Sequence, residues 1–310
     1  MKRRLLPAAG ALLALPAAAA FVVSEKCLQM VTKPVRHTVE EVVREDTGHG
    51  LTAGFAAYES WRRAPFTVER GGVTLRCERV ENPADVGPRR KVAIICHGHT
   101  VNRFSSLKYA DIFYRAGFSV VLYDERYFGE SGGDYCTLGQ EESLDLAEII
   151  RETRRFFGEN CLLALHGESM GAATALLALR YEKPDLVVAD CPFADSELLF
   201  GQWIRRNLHI PPGLILPLLE TLAKRRFGYR VKETSPIAAV RDADVPICFM
   251  HGRADTLIPC SHSEALRAAC RSEKSELHLF DGAIHAQSIV VDPAAYERIL
   301  RAFLTSCGAL

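Results

Sequence analysis

Between Lys91 and Phe280 the chain carries six short, nearly continuous apolar runs: VAIICHG, SVVLYD, CLLALHG, LVVAD, ICFMHG and ELHLF. Unbroken apolar runs this short are the pattern of parallel strands covered on both faces. Between them lie helix-length periodic stretches such as SSLKYADIFYRAG, EESLDLAEIIRETRRFF and GAATALLALRYE. Strand and helix in alternation predict a doubly wound, mostly parallel sheet. Upstream, FTVER and VTLRCERV flank Gly71-Gly72 and read as a hairpin. The rhythm breaks once, at about residues 196–240, where a helical stretch rich in Leu, Trp and Phe is interrupted by Pro211-Pro212. It reads as a helical cap inserted over the strand ends, with two ordinary surface helices as the plainer alternative.

The first residues have another character. MKRR precedes Leu5–Val23, a segment without charge, and about 19 residues at 1.5 Å each approach the ~30 Å hydrocarbon thickness. Residues 1–23 are therefore expected to be a membrane anchor, with Lys2, Arg3 and Arg4 inside and the main domain outside. A cleaved signal with its site near Ala17–Ala20, and so a secreted protein, is the alternative. Residues 24–60 read as a helical stem without evident chemistry, and 61–310 as one domain.

The 310 residues include 38 Lys plus Arg and 38 Asp plus Glu, so no basic surplus calls for nucleic acid. The ten cysteines are scattered without a C-x-x-C pair, which argues against zinc and thioredoxin chemistry. A free-thiol set fits a reducing compartment, in tension with export.

Two stretches match Gly-x-Ser-x-Gly: GESGG at 129–133 and GESMG at 167–171. A nucleophile turn needs a strand running into it and a helix leaving it. CLLALHGESMGAATALLALR supplies both, which selects Ser169. Ser131 follows LYDERYF, beyond its strand, and precedes a turn-rich loop. The later strands then offer an acid and a base in the order this chemistry uses: Asp255 after ICFMHG and His285 after ELHLF. Asp242, Asp244 and Asp281 are the competing acids and read as loop-capping or solvated residues. His251 and His262 flank the acid loop without strand-end geometry, and His278 alternates within a strand. Oxyanion donors are expected from the amide of Met170 and from the HGHT loop, at His99 with Thr100 as alternate. His97, His99 and His166 lack a carboxylate at ligand spacing, so no metal is expected.

The ordered set HGHT, YDERYFGESGG, HGESMGAATAL, ADCPF, HGRADTLIP and GAIHA, spanning roughly residues 60–305, resembles serine hydrolases of the α/β-hydrolase superfamily. It is most similar to bacterial members, many with an N-terminal anchor, related to serine aminopeptidases and acyl-peptidase-like enzymes. The resemblance implies an α/β-hydrolase fold, an ester, thioester or amide substrate cleaved through an acyl-enzyme, no cofactor, and a structural role for the Asp124–Gly133 loop. His99 departs from the family, where small or apolar residues are usual, so access to the oxyanion hole is expected to be narrowed or polar. Trp203, Leu214, Ile215 and Leu218 in the insertion point to a partly hydrophobic small-molecule or peptide acyl substrate. Acyl transfer on the same triad and a non-catalytic binding protein are the rival readings, and oligomeric state is left open.

Overall fold

The structure, a computed structural model, describes residues 6–310, with side-chain surroundings from residue 18 onward. Three helices come first: α1 (Leu6–Thr32), α2 (Val39–Gly48) and α3 (Ala53–Ser60). Among the described residues no helix is long and apolar enough to cross a membrane. That overturns the anchor expected over Leu5–Val23, and with it the transmembrane helix, membrane attachment and a cell-membrane location with the catalytic domain outside. Met1–Leu5, including the basic Lys2, Arg3 and Arg4, lie outside the described residues. The physical reason is visible in the helix: α1 runs on past Val23 through Glu25 and Lys26 to Thr32, where Cys27 and Leu28 are buried in the protein.

The segment expected as a stem is folded onto the domain. Thr38 caps α2 in a capping box, its hydroxyl accepting from the Glu41 amide while the Glu41 carboxylate accepts from the Thr38 amide. Tyr58 of α3 and Trp61 are buried in the main core.

The strands are β1 (Arg63–Arg70), β2 (Val73–Val80), β3 (Lys91–Cys96), β4 (Ser119–Tyr123), β5 (Leu162–Glu168), β6 (Leu186–Asp190), β7 (Ile247–Gly252) and β8 (Glu276–Phe280). They form one sheet in the order β1-β2-β4-β3-β5-β6-β7-β8. β1, β2 and β4 pair antiparallel and every pairing from β4 to β8 is parallel. The β1–β2 hairpin turns on Gly71 and Gly72, both at positive φ, as a two-residue turn of matching twist requires.

Strands β3 to β7 are buried almost throughout, because helices cover both faces. On one face pack α3, α4 (Leu107–Arg115), the short α11 (Ser288–Val291) and α12 (Pro293–Ser306). On the other pack α5 (Gln140–Phe157), α6 (Met170–Ala178), α9 (Pro236–Asp242) and α10 (Ser261–Ala269). The remaining helices, α7 (Ser196–Leu208) and α8 (Leu216–Phe227), are the insertion. Phe200 and Ile204 of α7, Leu219 and Leu222 of α8, and Cys27 and Leu28 of α1 make a third apolar cluster with Met170 and Phe193. The apolar face of the end of α1 is thus matched by the cap, which is why it is apolar.

Candidate active site

Strand β5 runs into α6 through a single residue, Ser169, held at φ 55° and ψ −114°. A non-glycine side chain there costs on the order of 1–3 kcal/mol and persists only where packing dictates it. The flanking glycines explain how: a Cβ on Gly167 would meet the Gly171 carbonyl, and a Cβ on Gly171 the Cys96 carbonyl. The turn is closed by the Ser169 amide donating to Asp190 O at 2.8 Å and the Ala173 amide to Ser169 O at 3.1 Å. Ser131, the competing match, donates to the Asp124 carbonyl and accepts from the Arg76 amide, so it ties a loop to β2.

The structure brings Ser169, His285 and Asp255 together. Ser169 Oγ lies 2.8 Å from His285 Nε2, and His285 Nδ1 lies 2.7 Å from Asp255 Oδ2. Asp255 sits in the turn after β7 and His285 in the loop after β8, and the two loops are joined by backbone bonds. Arg253 donates to Phe280 O at 2.9 Å and Ala254 to Ala283 O at 3.0 Å. The other oxygen of Asp255 accepts the amides of Leu257 and Ile258 at 2.9 and 2.8 Å. Burial would raise the Asp255 carboxyl, but hydrogen bonds from His251, His285 and the Ile258 amide hold it far below the usual carboxylate range. It is a permanent acceptor for the imidazole.

His251, set aside at the sequence level as a flanking residue, is fully buried, with Nε2 2.8 Å from the Ile258 carbonyl and 3.2 Å from Asp255 Oδ2. Its Nδ1 meets Ser263 Oγ at 2.7 Å. The signal for it in the sequence was its place four residues before Asp255 at the end of a strand. His262 instead accepts the Ala194 amide and bonds Gln202 of α7, linking cap to domain. His278 faces Glu276. Asp281 pairs with Arg253 at the surface.

A second polar layer lies beneath the serine. Glu168 accepts from the Tyr109 hydroxyl and pairs with Lys108 Nζ at 3.1 Å, and Lys108 also reaches Asp46 Oδ1 of α2 at 3.3 Å. Burial would lower the Lys108 ammonium, yet Glu168 and Asp46 hold it above its ordinary value. Asp190, at the end of β6, accepts from Ser288 Oγ at 3.0 Å, and burial, reinforced by Glu168, pushes its carboxyl up to about 7.

Met170 opens α6, so its amide has no intrahelical partner. His99 lies in the loop after β3. Its side chain turns away to bond the Val31 carbonyl at the end of α1 through Nε2 at 2.9 Å, and burial lowers its pKa. The same loop receives the His37 amide on Thr100 O at 2.7 Å, and Asn102 Nδ2 donates to His37 O at 3.1 Å. The N-terminal segment therefore braces the candidate oxyanion loop, a contact no local pattern announced.

Two chambers meet at Ser169. One, of about 190 Å3, is apolar and is lined by Leu199, Phe200 and Trp203 of α7, by Met30 and Val31 of α1, and by Phe193. Of the insertion residues that suggested a hydrophobic substrate, Trp203 lines this chamber, Ile215 and Leu218 pack in the cap, and Leu214 is exposed. The other, of about 320 Å3, is polar and is lined by His285, Glu168, Lys108 and residues of α2. Cys191, Asp255 and His285 bring potential metal ligands within 4.8 Å of one another, as do Cys248, Glu276 and His278. In both sets the thiol is buried and pushed well above its ordinary pKa, so neither offers a ready thiolate.

The eight-stranded, mostly parallel sheet with helices on both faces and a strand-turn-helix serine defines an α/β-hydrolase fold. Residues 87–241 match the model of the serine aminopeptidase family, S33. The chain is 32% identical to the uncharacterized protein YqkD of Bacillus subtilis over 97% of each sequence. Among solved structures, the Pyrococcus furiosus esterase Pf2001 superposes with a TM-score of 0.65 at 22% identity, covering 81% of this chain and 94% of that one. An acylaminoacyl peptidase of Pyrococcus horikoshii gives 0.59 at 13% identity, covering 81% and 43%. The chain belongs to the serine aminopeptidase family of α/β-hydrolases, and it is a hydrolase of that superfamily.

Proposed function

We propose that the protein is a serine hydrolase that cleaves an ester, thioester or amide through an acyl-enzyme. The observation that carries this reading is the unbroken Ser169–His285–Asp255 relay at 2.8 and 2.7 Å, built on a strained turn. Ser169 Oγ attacks the acyl carbonyl carbon while His285 Nε2 takes its proton, and Asp255 holds the imidazole in the required tautomer. The oxyanion is stabilised by the amides of Met170 and His99. His285 returns the proton to the leaving group. Water, deprotonated by the same nitrogen, then releases the acid. The apolar chamber beside the serine supports a substrate whose acyl group is hydrophobic.

The test is activity-based labelling with a fluorophosphonate together with turnover of short p-nitrophenyl esters. Ser169→Ala is expected to abolish labelling and to lower kcat/KM by about 10^4-fold or more, with the fold retained. Undiminished turnover by that variant discards the assignment.

A further inference from the structure

His285 hands its proton to the departing group, so the leaving group must lie within reach of His285 Nε2. Of the two chambers that meet at Ser169, His285 lines the polar one. On the serine-hydrolase reading, which this inference rests on, the apolar chamber receives the acyl chain and the polar chamber the leaving group.

The polar chamber carries an excess of negative charge. Asp46 and Glu168 flank the ammonium of Lys108 and Glu45 lines the same chamber, so its carboxylates outnumber its ammonium groups by two. Lys108 is shared between Asp46 Oδ1 and Glu168 Oε2. Asp46 is 6% exposed, and its Oδ2 is shielded from solvent without any hydrogen-bond donor from the protein. His37 Nδ1, on the same wall, is likewise without a hydrogen bond. A buried carboxylate oxygen with no donor carries a desolvation cost that a donor-bearing ligand removes. Glu45, the neighbouring carboxylate on α2, is half-exposed at the chamber wall.

We propose that the polar chamber is a leaving-group subsite for an ammonium-bearing alcohol or amine, recognised by Asp46 and Glu45 of α2. The positive end of the leaving group lies against these carboxylates while its oxygen or nitrogen remains beside His285. The N-terminal segment, which carries no nucleophile, acid or base of the relay, thereby sets which substrates are cleaved.

The experiment compares butanoyl esters of 2-(dimethylamino)ethanol, whose protonated head keeps one N–H, and of its uncharged carbon isostere, 3-methylbutanol, on the full chain. The cationic ester is expected to have a kcat/KM about tenfold higher, the size of a hydrogen-bonded charge contact sheltered from bulk water, and the ratio should shrink with added salt. Glu45→Gln and Asp46→Asn should each bring the ratio toward one. The ratio is formed within each variant, so loss of folded protein cancels, and Glu45 is exposed enough to be replaced without unfolding. Protection of Ser169 from a fluorophosphonate by 2-(dimethylamino)ethanol, and not by 3-methylbutanol, reads the same preference without turnover. A wild-type ratio at or below one, equal protection by the two alcohols, or a ratio unchanged in both variants overturns the proposal. Turnover that survives Ser169→Ala overturns the nucleophile instead, and the charge ratio from the same assay still reports on the chamber.

Discussion

His251 Nε2 lies 3.2 Å from Asp255 Oδ2, the same oxygen that meets His285 Nδ1 at 2.7 Å. One carboxylate oxygen thus serves two imidazoles, one exposed to the reaction and one fully buried. The buried one helps hold Asp255 ionised, as a positioning residue for the relay. His251→Ala is expected to lower kcat about tenfold with little change in KM, and to move the acid limb of the pH profile upward as Asp255 becomes easier to protonate. A purely structural role would reduce the active fraction and leave that limb in place.

The conformation of Ser169 makes an unusual stability ranking. At φ 55° a glycine is at ease and an alanine is strained. Ser169→Gly is therefore expected to melt above Ser169→Ala by about 2 °C or more, although glycine ordinarily loses more chain entropy on folding. Calorimetry on the two variants decides it. The reverse order would mean that the turn is not strained as described.

Asp190 gives a pH dependence of stability. Its carboxyl sits at about 7 in the folded protein and near about 4 in the unfolded chain. Folding then takes up a proton between those values, so this group lowers stability as pH rises through that window. His262, pushed down to about 4 by burial, acts in the opposite sense below its ordinary value, losing stability as pH falls. The difference between wild type and Asp190→Asn isolates the carboxyl. The variant is expected to gain in Tm relative to wild type on going from about pH 5 to pH 8. A constant difference across that range contradicts a raised Asp190.

The apolar chamber is walled partly by α1, and Met30 there is 55% exposed. Met30→Phe should fill the chamber without burying new polar groups. It is expected to cut kcat/KM for octanoyl esters about tenfold while acetyl esters change little, since each buried methylene contributes about 0.8 kcal/mol. A chain-length series in which all esters fall together would place the acyl group elsewhere.

His99 ties the candidate oxyanion loop to the end of α1 through the Val31 carbonyl. His99→Ala removes a hydrogen bond worth about 1 kcal/mol from that carbonyl, which keeps the Cys136 thiol as its other donor. A Tm lower by about 2–4 °C is expected, with a fall in kcat, because the loop that presents the amide loses its brace. An unchanged kcat would detach the loop from this support.

Local patterns carried much of this protein. Short apolar runs and intervening helical periods are set by nearest neighbours along the chain, so the parallel sheet and the Gly71-Gly72 hairpin were legible. So were the strand before Ser169 and the helix after it, because both are local facts. The order of Asp255 and His285 in the sequence named them as candidates, but the distances among the three belong to the folded loops. The first helix was the misreading: an uncharged, alanine-rich run, read alone, gives no sign of the charged and buried turns that continue the same helix. Only the tertiary structure decided that its end packs on α7 and α8, that Val31 receives His99, and that α2 brings Asp46 to Lys108. Burial against distant partners leaves no periodic trace of who the partner is, so the walls of both chambers and the buried His251 had to wait for the fold.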